Sequence, residues 1–118
     1  MTLRENQLKA SISAKHWEKI GIRNHYGINL PLSALKSATS CGIGEFLDLI
    51  PLIEWCGELG LSVIQLLPLN DTGSDPSPYN AHSSCAIHPI YLSLAKLPHL
   101  RNEEVIKKIK ELQGLNTA

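Results

Sequence analysis

The chain has 118 residues, 43% of them hydrophobic, which is enough for one domain with a modest core. Eleven basic residues balance eleven acidic ones, so the charge excludes a strong field for nucleic acid, an anionic membrane or cations, whereas a neutral small molecule or a sugar fits it. The charged start, MTLRENQLKAS, lacks the apolar core of a signal peptide, and no apolar run reaches the roughly 18 residues that span a membrane. The cysteines are too widely spaced to suggest a disulfide framework: Cys41, Cys56 and Cys85. We therefore expect a cytoplasmic protein that binds neither nucleic acid nor membrane.

The first predicted elements are a helix and a short strand. Residues 3–20 are loosely amphipathic and end at Gly21, which predicts one helix. Residues 25–35 have a short apolar core, and Pro31 within it indicates a strand that soon gives way to a turn.

A loop of Ser, Thr and Gly, residues 37–44, leads into the segment 45–60, whose apolar spacing predicts a core-facing helix. We expect Asp48 to cap this helix, which puts Pro51 in the first turn, and Gly60 stands where a helix stop is expected. Its apolar side chains recur at helical spacing: Leu49, Leu52, Ile53, Cys56 and Leu59.

Two pairs of residues on this helix could also suggest chemistry. Glu45 and Asp48 could form an acid–base pair, but stabilisation of the helix start explains them more simply. We interpret Trp55 and Cys56 as packing residues, since no basic residue lies one turn from Cys56.

A strand and a long polar loop follow the helix. The run SVIQLLPL, residues 62–69, predicts a strand buried on both faces, and the Asn, Asp, Gly and Pro residues after it cannot continue it. The order strand, helix, strand predicts a right-handed βαβ unit and a parallel sheet. Loops of this length in compact domains are usually functional or disordered. Beyond the loop, residues 87–94 predict another strand or an extended loop edge.

The last predicted element is a helix over residues 101–114. Asn102 is expected to cap it, Glu103 and Glu104 lie at its positive end, and Gly114 stops it. Its predicted buried face consists of Val105, Ile109 and Leu112.

Four sequence blocks occur in order between residues 26 and 94: YGINLPLSAL, CGIGEFLDL, IEWCGELGLSVIQLLPLND and DPSPYNAHSSCAIHPIYL. Together they make the chain resemble the amino-terminal part of a 4-alpha-glucanotransferase, the amylomaltase or disproportionating-enzyme family (glycoside hydrolase family 77). One feature departs from the family pattern. Many relatives carry an aspartate directly before the serine of the Ser-Pro-Tyr triplet, whereas Pro76 stands there in this chain and the nearest aspartate is Asp75.

The resemblance implies an α/β fold, the first β/α units of a (β/α)8 TIM-type barrel that is incomplete in this chain, because a whole barrel takes about 250 residues. Residues 1–24 would be a lead-in segment and residues 25–118 the start of the barrel, with the remainder expected after Ala118. The family transfers α-1,4-glucan segments between malto-oligosaccharides by a retaining mechanism, without a cofactor, using two carboxylates about 5 Å apart. In the family these carboxylates lie on later strands, so we expect no catalytic residue in this chain and no activity from it alone.

The resemblance also implies which residues contact the sugar. Ser77 and Tyr79 match family positions at the cleavage site, where a serine can hydrogen-bond a hydroxyl and a tyrosine ring can cover the C–H face of a pyranose. The alternative for this triplet is an ordinary rigid turn. Asp71 follows the predicted strand over residues 62–69, and a barrel carries its active-site residues at such strand ends. An Asn-Asp-Thr-Gly string is nevertheless more often a turn in which the aspartate bonds nearby N–H groups.

Two other interpretations stay open from the residues alone. His82, Cys85 and His88 recur every three residues and could donate to zinc, but no fourth ligand or paired motif supports a metal site. The whole chain could be a non-catalytic remnant or a glucan-binding fragment that lacks the catalytic carboxylates. We expect the chain by itself to be only marginally stable, because an incomplete barrel leaves strand edges and faces without partners.

Overall fold

The computed structural model describes residues 2–100 and 102–115, in which four helices accompany two parallel strands. Short 3-10 turns lie at Leu32–Ala34, Phe46–Asp48, Pro89–Tyr91 and Leu94–Lys96. The helices and strands, in chain order, are α1 Leu3–Lys9, α2 Ala14–Ile20, β1 Gly27–Leu30, α3 Leu49–Glu58, β2 Val63–Leu66 and α4 Glu103–Gly114.

The amino-terminal segment forms two short helices, so the prediction of one helix over residues 3–20 is wrong. The Ser11 hydroxyl donates to the carbonyl of Leu8 at 2.7 Å, a side-chain bond that competes with continuation of the helix. At the start of α1, Thr2 and Glu5 form a capping box with bonds of 2.8 and 3.3 Å. Gly21 ends α2 with a φ of +88°, as the sequence predicts for a helix stop.

The βαβ unit forms with parallel strands, as predicted, but each strand is only four residues long. The pairing register runs from Gly27 opposite Val63 to Leu30 opposite Leu66. Pro31 ends β1, and the chain turns at once into a 3-10 segment, so the predicted strand over residues 25–35 is shorter than expected. The predicted strand over residues 62–69 is shortened in the same way.

Helix α3 begins at Leu49, directly after Asp48, as the predicted cap position implies, and a 3-10 turn over Phe46–Asp48 precedes it. Asp48 lies at the N-cap position, but its side chain makes no capping bond to α3. Gly60 has a φ of +75°, and the N–H of Leu61 donates to Cys56 O at 2.8 Å. The helix stop at Gly60 is therefore a Schellman motif, as the glycine predicts.

The carboxyl-terminal helix follows its prediction closely at its start. The Asn102 side chain accepts from the N–H groups of Glu104 and Val105 at 3.0 and 3.2 Å. Ile109 is buried, Leu112 is half-buried, but Val105 is exposed, so the predicted buried face is narrower than expected. Arg101, the first residue of the predicted segment, lies outside the described residues.

The described residues enclose very little core. The buried hydrophobic side chains are Leu32, Cys56 and Ile109. The radius of gyration is 18.9 Å, whereas a compact domain of this length has roughly 13–14 Å. The solvent-accessible area is 8880 Å², against about 6,300 Å² for a folded monomer of this mass. The chain is therefore an extended structure that leaves much of its surface uncovered.

Part of this uncovered surface is apolar and lies on or beside α3 and β2. Trp55 is 52% exposed, so the prediction that it packs inside is wrong for this chain, whereas Cys56 is buried as predicted. Ile53 and Leu59 of the predicted core face are each 57% exposed. Val63 is 44% exposed, so β2 is not buried on both faces. These side chains have the pattern of a core but lack neighbours to pack against.

Candidate functional site

A long loop leaves the carboxyl end of β2 and returns beside it. The N–H of Asp71 donates to Ala86 O at 2.9 Å, and the N–H of His88 donates to Leu69 O at the same distance. Asn70 and Ile87 form a single antiparallel bridge between these bonds. Beyond this bridge residues 87–94 form 3-10 turns and not another strand, so the loop-edge alternative fits better. The two arms of the loop are thus fastened together at its base.

Asp71 lies at this base and forms the turn that its sequence context favours. Its Oδ1 accepts from the N–H of Gly73 at 2.9 Å, and its carbonyl accepts from the N–H of His82 at 2.8 Å. Gly73 has a φ of +60°, a conformation that favours glycine at this turn. The Asp71 side chain nevertheless remains 39% exposed. One of its carboxylate oxygens is therefore used locally, and the group still faces solvent.

The Ser-Pro-Tyr triplet is held by the neighbouring Asp75. One oxygen of Asp75 accepts from the N–H of Ser77 at 2.8 Å, and the other accepts from the side-chain amide of Asn80 at 2.8 Å. The carbonyl of Asp75 accepts from the buried Thr72 hydroxyl at 2.7 Å. The N–H of Ser77 and, to a smaller extent, the amide of Asn80 hold the pKa of Asp75 below its ordinary value. An ionised Asp75 therefore fixes both ends of the turn.

Tyr79 projects from this fixed turn into solvent. Its side chain is 69% exposed, while Ser77 is half-buried. Within the described residues no hydrogen bond joins the Asp71 carboxylate to Ser77 or Tyr79, although all three lie in one loop. The arrangement presents an exposed aromatic ring, a serine hydroxyl and a carboxylate from one backbone framework.

His88 connects the two arms of the loop to the body of the chain. Its Nε2 contacts the carbonyl of Gly73 at 3.1 Å, and its Nδ1 accepts from the N–H of Ile90 at 3.2 Å. Because Gly73 offers only an acceptor and Ile90 only a donor, these contacts require the neutral ring with its hydrogen on Nε2. The ring also packs edge-on against Tyr91, which packs in the same way against Phe46. His88 therefore joins the Gly73 turn to the start of α3.

A second loop, residues 37–44, ends at the same edge of the sheet, since it follows β1 and the two strands are parallel. Two buried carboxylates hold it. Glu45 accepts from the N–H of Cys41 at 2.8 Å, and Asp48 accepts from the N–H of Glu45 at 2.7 Å and from the Ser37 hydroxyl. Burial, with the nearby charge of Glu45 second, raises the pKa of the Cys41 thiol. These carboxylates thus act on loop structure at the helix start, and Asp48 is unavailable for capping α3 because of these bonds.

Helix α4 is also fastened to this second loop. The side-chain amide of Gln113 donates to the carbonyl of Thr39 at 2.6 Å. Gly44 lies where a Cβ atom would collide with the carbonyl oxygen of Leu32, so the loop passes close against the turn after β1.

The structure does not assemble a metal centre from the described residues, among which no group of three or more possible ligands comes together. His88 is used by the bonds given above, while His82 and Cys85 are exposed. None of the helices in the described ranges has the length and apolar character needed to cross a membrane.

Two residues that hold this site, Asp75 and His88, were given no such role by the sequence analysis. An aspartate two residues before a serine, within a Pro-rich string, is a known pattern for a side chain that bonds the backbone two residues on. That pattern could have identified Asp75. The role of His88 depends on its contact with the carbonyl of Gly73, 15 residues away, which no local sequence pattern predicts.

Comparison with known proteins places the chain in glycoside hydrolase family 77. The family model described as 4-alpha-glucanotransferase matches residues 30–116, most of the chain. The chain therefore belongs to the 4-alpha-glucanotransferase family, as the four sequence blocks predicted.

Curated relatives agree with this assignment. A 4-alpha-glucanotransferase of Chlamydia pneumoniae is 56% identical over 108 residues, which are 91% of this chain and 20% of that protein. One of Chlamydia caviae is 48% identical over 110 residues, 92% of this chain and 21% of that protein. The 4-alpha-glucanotransferase DPE2 of Oryza sativa subsp. japonica is 40% identical over 76 residues, 60% of this chain and 8% of that protein. The chain thus spans about a fifth of the length of the two chlamydial relatives. No solved structure matches it significantly.

Proposed function

We propose that this chain forms the first β/α units of the (β/α)8 barrel of a 4-alpha-glucanotransferase. Two observations support the proposal. The family model covers most of the chain, and the chain spans about a fifth of its chlamydial relatives. The parallel βαβ unit and the uncovered apolar side chains of α3 and β2 suit a barrel segment whose neighbours come from further strands. In this proposal residues 1–24 are a lead-in and residues 25–118 belong to the barrel.

The proposed reaction is retaining transfer of α-1,4-glucan segments between malto-oligosaccharides. One carboxylate attacks the anomeric carbon, a second protonates the leaving sugar, and the hydroxyl of another glucan then replaces the first carboxylate. We propose that both carboxylates come from later barrel strands, so that this chain supplies binding groups and no catalytic residue. No cofactor is needed for this chemistry.

In the proposal, the loop at the carboxyl end of β2 contacts the glucan. The single observation that carries this is the exposed Tyr79 ring on a turn fixed by Asp75. An exposed ring on a backbone turn that is already fixed can cover the C–H face of a pyranose, and the turn loses little conformational freedom on binding. The Ser77 hydroxyl and the exposed part of the Asp71 carboxylate would bond sugar hydroxyls beside it.

A second candidate is a glucan-binding fragment or a non-catalytic remnant. It is favoured by one observation, that the Tyr79 turn and its supporting bonds lie entirely within residues 69–91 of this chain. The binding loop would therefore not depend on later strands for its local shape. We propose a cytoplasmic location in either case, since Cys41, Cys56 and Cys85 are all free thiols.

The size and activity of the native product test the proposal. An antibody raised against this chain would be used to blot a lysate of the source cells and to capture the native product. We expect a band several times heavier than 13.0 kDa, and the captured protein should convert maltotriose into glucose and longer glucans. A band at the mass of the chain, with no product from maltotriose, would contradict the transferase proposal and leave the glucan-binding fragment or remnant.

A further inference from the structure

We propose a second glucan-binding site at the opposite end of the strand pair, in the groove between the amino-terminal helices and the start of β1. This arm groove is lined by Arg4, Trp17, Arg23, Asn24, His25 and Tyr26, among other residues. The inference rests on the proposed function, because the ligand is the same class of α-1,4-glucan.

The arm groove has the size of a ligand site. Its volume is about 760 Å³, within the roughly 300–1,000 Å³ of small-molecule pockets, and it is partly open to solvent. An open groove suits a linear oligosaccharide, which can lie along it with both ends free.

The position of the groove separates it from the Tyr79 loop. His25 and Tyr26 directly precede β1, whereas Asp71 and its loop follow β2, and the two strands run in the same direction. Four residues of strand lie between the two ends, a length of roughly 13 Å at about 3.3 Å per residue. One glucan chain could therefore reach both sites only if it were several sugars long.

Part of the groove wall is fixed before any ligand binds. Both ring nitrogens of His25 are engaged, Nδ1 with the Ser62 hydroxyl and Nε2 with the carbonyl of Gly21, each at 2.9 Å. On the other side, the Thr2–Glu5 capping box holds the start of α1. A fixed wall lowers the conformational entropy that binding would otherwise cost.

The other lining side chains include hydrogen-bond donors and two aromatic rings. Among residues 2–100 and 102–115, the side chains of Arg4, Arg23 and Asn24 make no hydrogen bond or ion pair with another residue. Tyr26 is 66% exposed, and Trp17 is half-buried. Planar N–H donors beside aromatic faces suit a pyranose, because sugar hydroxyls accept hydrogen bonds while sugar C–H groups pack on rings.

A phosphate is the competing ligand for this chemistry. The groove carries two guanidinium groups and one carboxylate, and that carboxylate, Glu5, already accepts from the N–H of Thr2 at 2.8 Å. The ring faces of the aromatic pair distinguish the two ligands, since a phosphate gains nothing from the faces of Trp17 and Tyr26, whereas the C–H face of a sugar packs on them. We therefore assign the groove to glucan and use inorganic phosphate as the opposing probe.

Tryptophan fluorescence of the 118-residue chain tests the assignment, because this sequence has only two tryptophans, Trp17 in the groove and Trp55 on α3. Trp55→Phe leaves Trp17 as the reporter of the groove, and Trp17→Phe leaves Trp55 as a matched control. A third variant, Tyr79→Trp with both native tryptophans replaced by Phe, reports the loop. Each would be titrated with maltoheptaose and, separately, with inorganic phosphate, at low micromolar protein.

We expect saturable change of Trp17 emission with maltoheptaose, no saturable change of Trp55, and no response of Trp17 to phosphate. In the Trp55→Phe background, Tyr26→Ala should weaken binding roughly tenfold, and Tyr26→Phe should retain it, since the ring supplies the contact. Trp17 emission that does not change with maltoheptaose, or that changes only with phosphate, would overturn the inference.

The loop reporter separates this inference from the proposed function. Saturation at the Tyr79→Trp reporter with a silent Trp17 would refute the arm groove and leave the proposed loop site standing. Saturation at Trp17 with a silent loop reporter would support the groove and count against the Tyr79 loop. Silence at both positions would contradict glucan binding by this chain altogether.

Discussion

His88 is the residue whose replacement should loosen the Tyr79 loop most selectively. Its ring makes two hydrogen bonds, to Gly73 and Ile90, and its side chain is 21% exposed. At about 1 kcal/mol for each bond, His88→Ala should lose about 2 kcal/mol of local stability, which increases the population of the open loop roughly 30-fold. The edge-on contact with Tyr91 adds to this loss.

Hydrogen–deuterium exchange followed by mass spectrometry measures this opening. The N–H groups of Asp71 and His82, which are bonded across the loop, should exchange faster in His88→Ala by about the same factor. His82→Ala is the matched control, because the His82 side chain is exposed and its contact with Asp71 is made by the backbone.

Two further replacements divide the effect between the two bonds. His88→Asn keeps an acceptor near the Nδ1 position and can still bond Ile90, whereas His88→Gln places a donor near the Nε2 position and can still bond Gly73. Each should show about half of the free-energy loss of His88→Ala. Exchange in His88→Ala that equals exchange in His82→Ala would refute the idea that His88 fastens the loop.

The other predictions concern the turn, the second loop and the uncovered surface. The folded pKa of Asp75 lies below its ordinary value of 3.8, so the carboxylate should hold the turn at pH values above the folded pKa and release it as the pH falls through that pKa. The NMR signals of the Asn80 side-chain amide would report the release. Signals that stay unchanged into strong acid would contradict this. Gly44→Ala should reduce soluble yield and helical circular dichroism, since the new Cβ atom meets the carbonyl of Leu32. The control Gly57→Ala has open space around it and should stabilise α3 by about 0.5–1 kcal/mol. Equal behaviour of the two variants would refute the close approach of Gly44 to Leu32. The isolated chain should self-associate, because it exposes about 2,500 Å² more surface than a compact monomer of its mass. Light scattering coupled to gel filtration should therefore give a mass above 13.0 kDa. A monomer with a cooperative thermal transition would contradict the incomplete core.

The predictions that held depend on short stretches of sequence. Asn102 caps α4 because its side chain needs only the N–H groups two and three residues later. Gly60 ends α3 because a positive φ is easy for glycine and the bonds of the motif are local. The parallel βαβ unit followed from the order of strand, helix and strand, which leaves few alternatives.

The predictions that failed depend on residues far apart in the sequence or on surfaces that nothing in this chain covers. Asp48 was expected to cap α3, but the Ser37 hydroxyl, 11 residues away, and the N–H of Glu45 occupy its carboxylate. Trp55 carries the apolar character of a core residue, and its exposure reflects the absence of a packing neighbour in the described residues. For the site, the residue types of Ser77 and Tyr79 were readable, whereas the support from His88 required the folded loop.

The most direct test of the account is the kinetics of glucan transfer by the native protein with Tyr79 replaced. With maltotriose as donor and acceptor, Tyr79→Ala should lower kcat/KM for glucose release at least roughly tenfold, because the ring that covers the sugar is lost, while Tyr79→Phe should keep most of it. Within this chain Tyr79 is 69% exposed, so neither replacement removes packing among its described residues. Kinetics of Tyr79→Ala equal to those of the parent protein would contradict the claim that this loop binds the glucan.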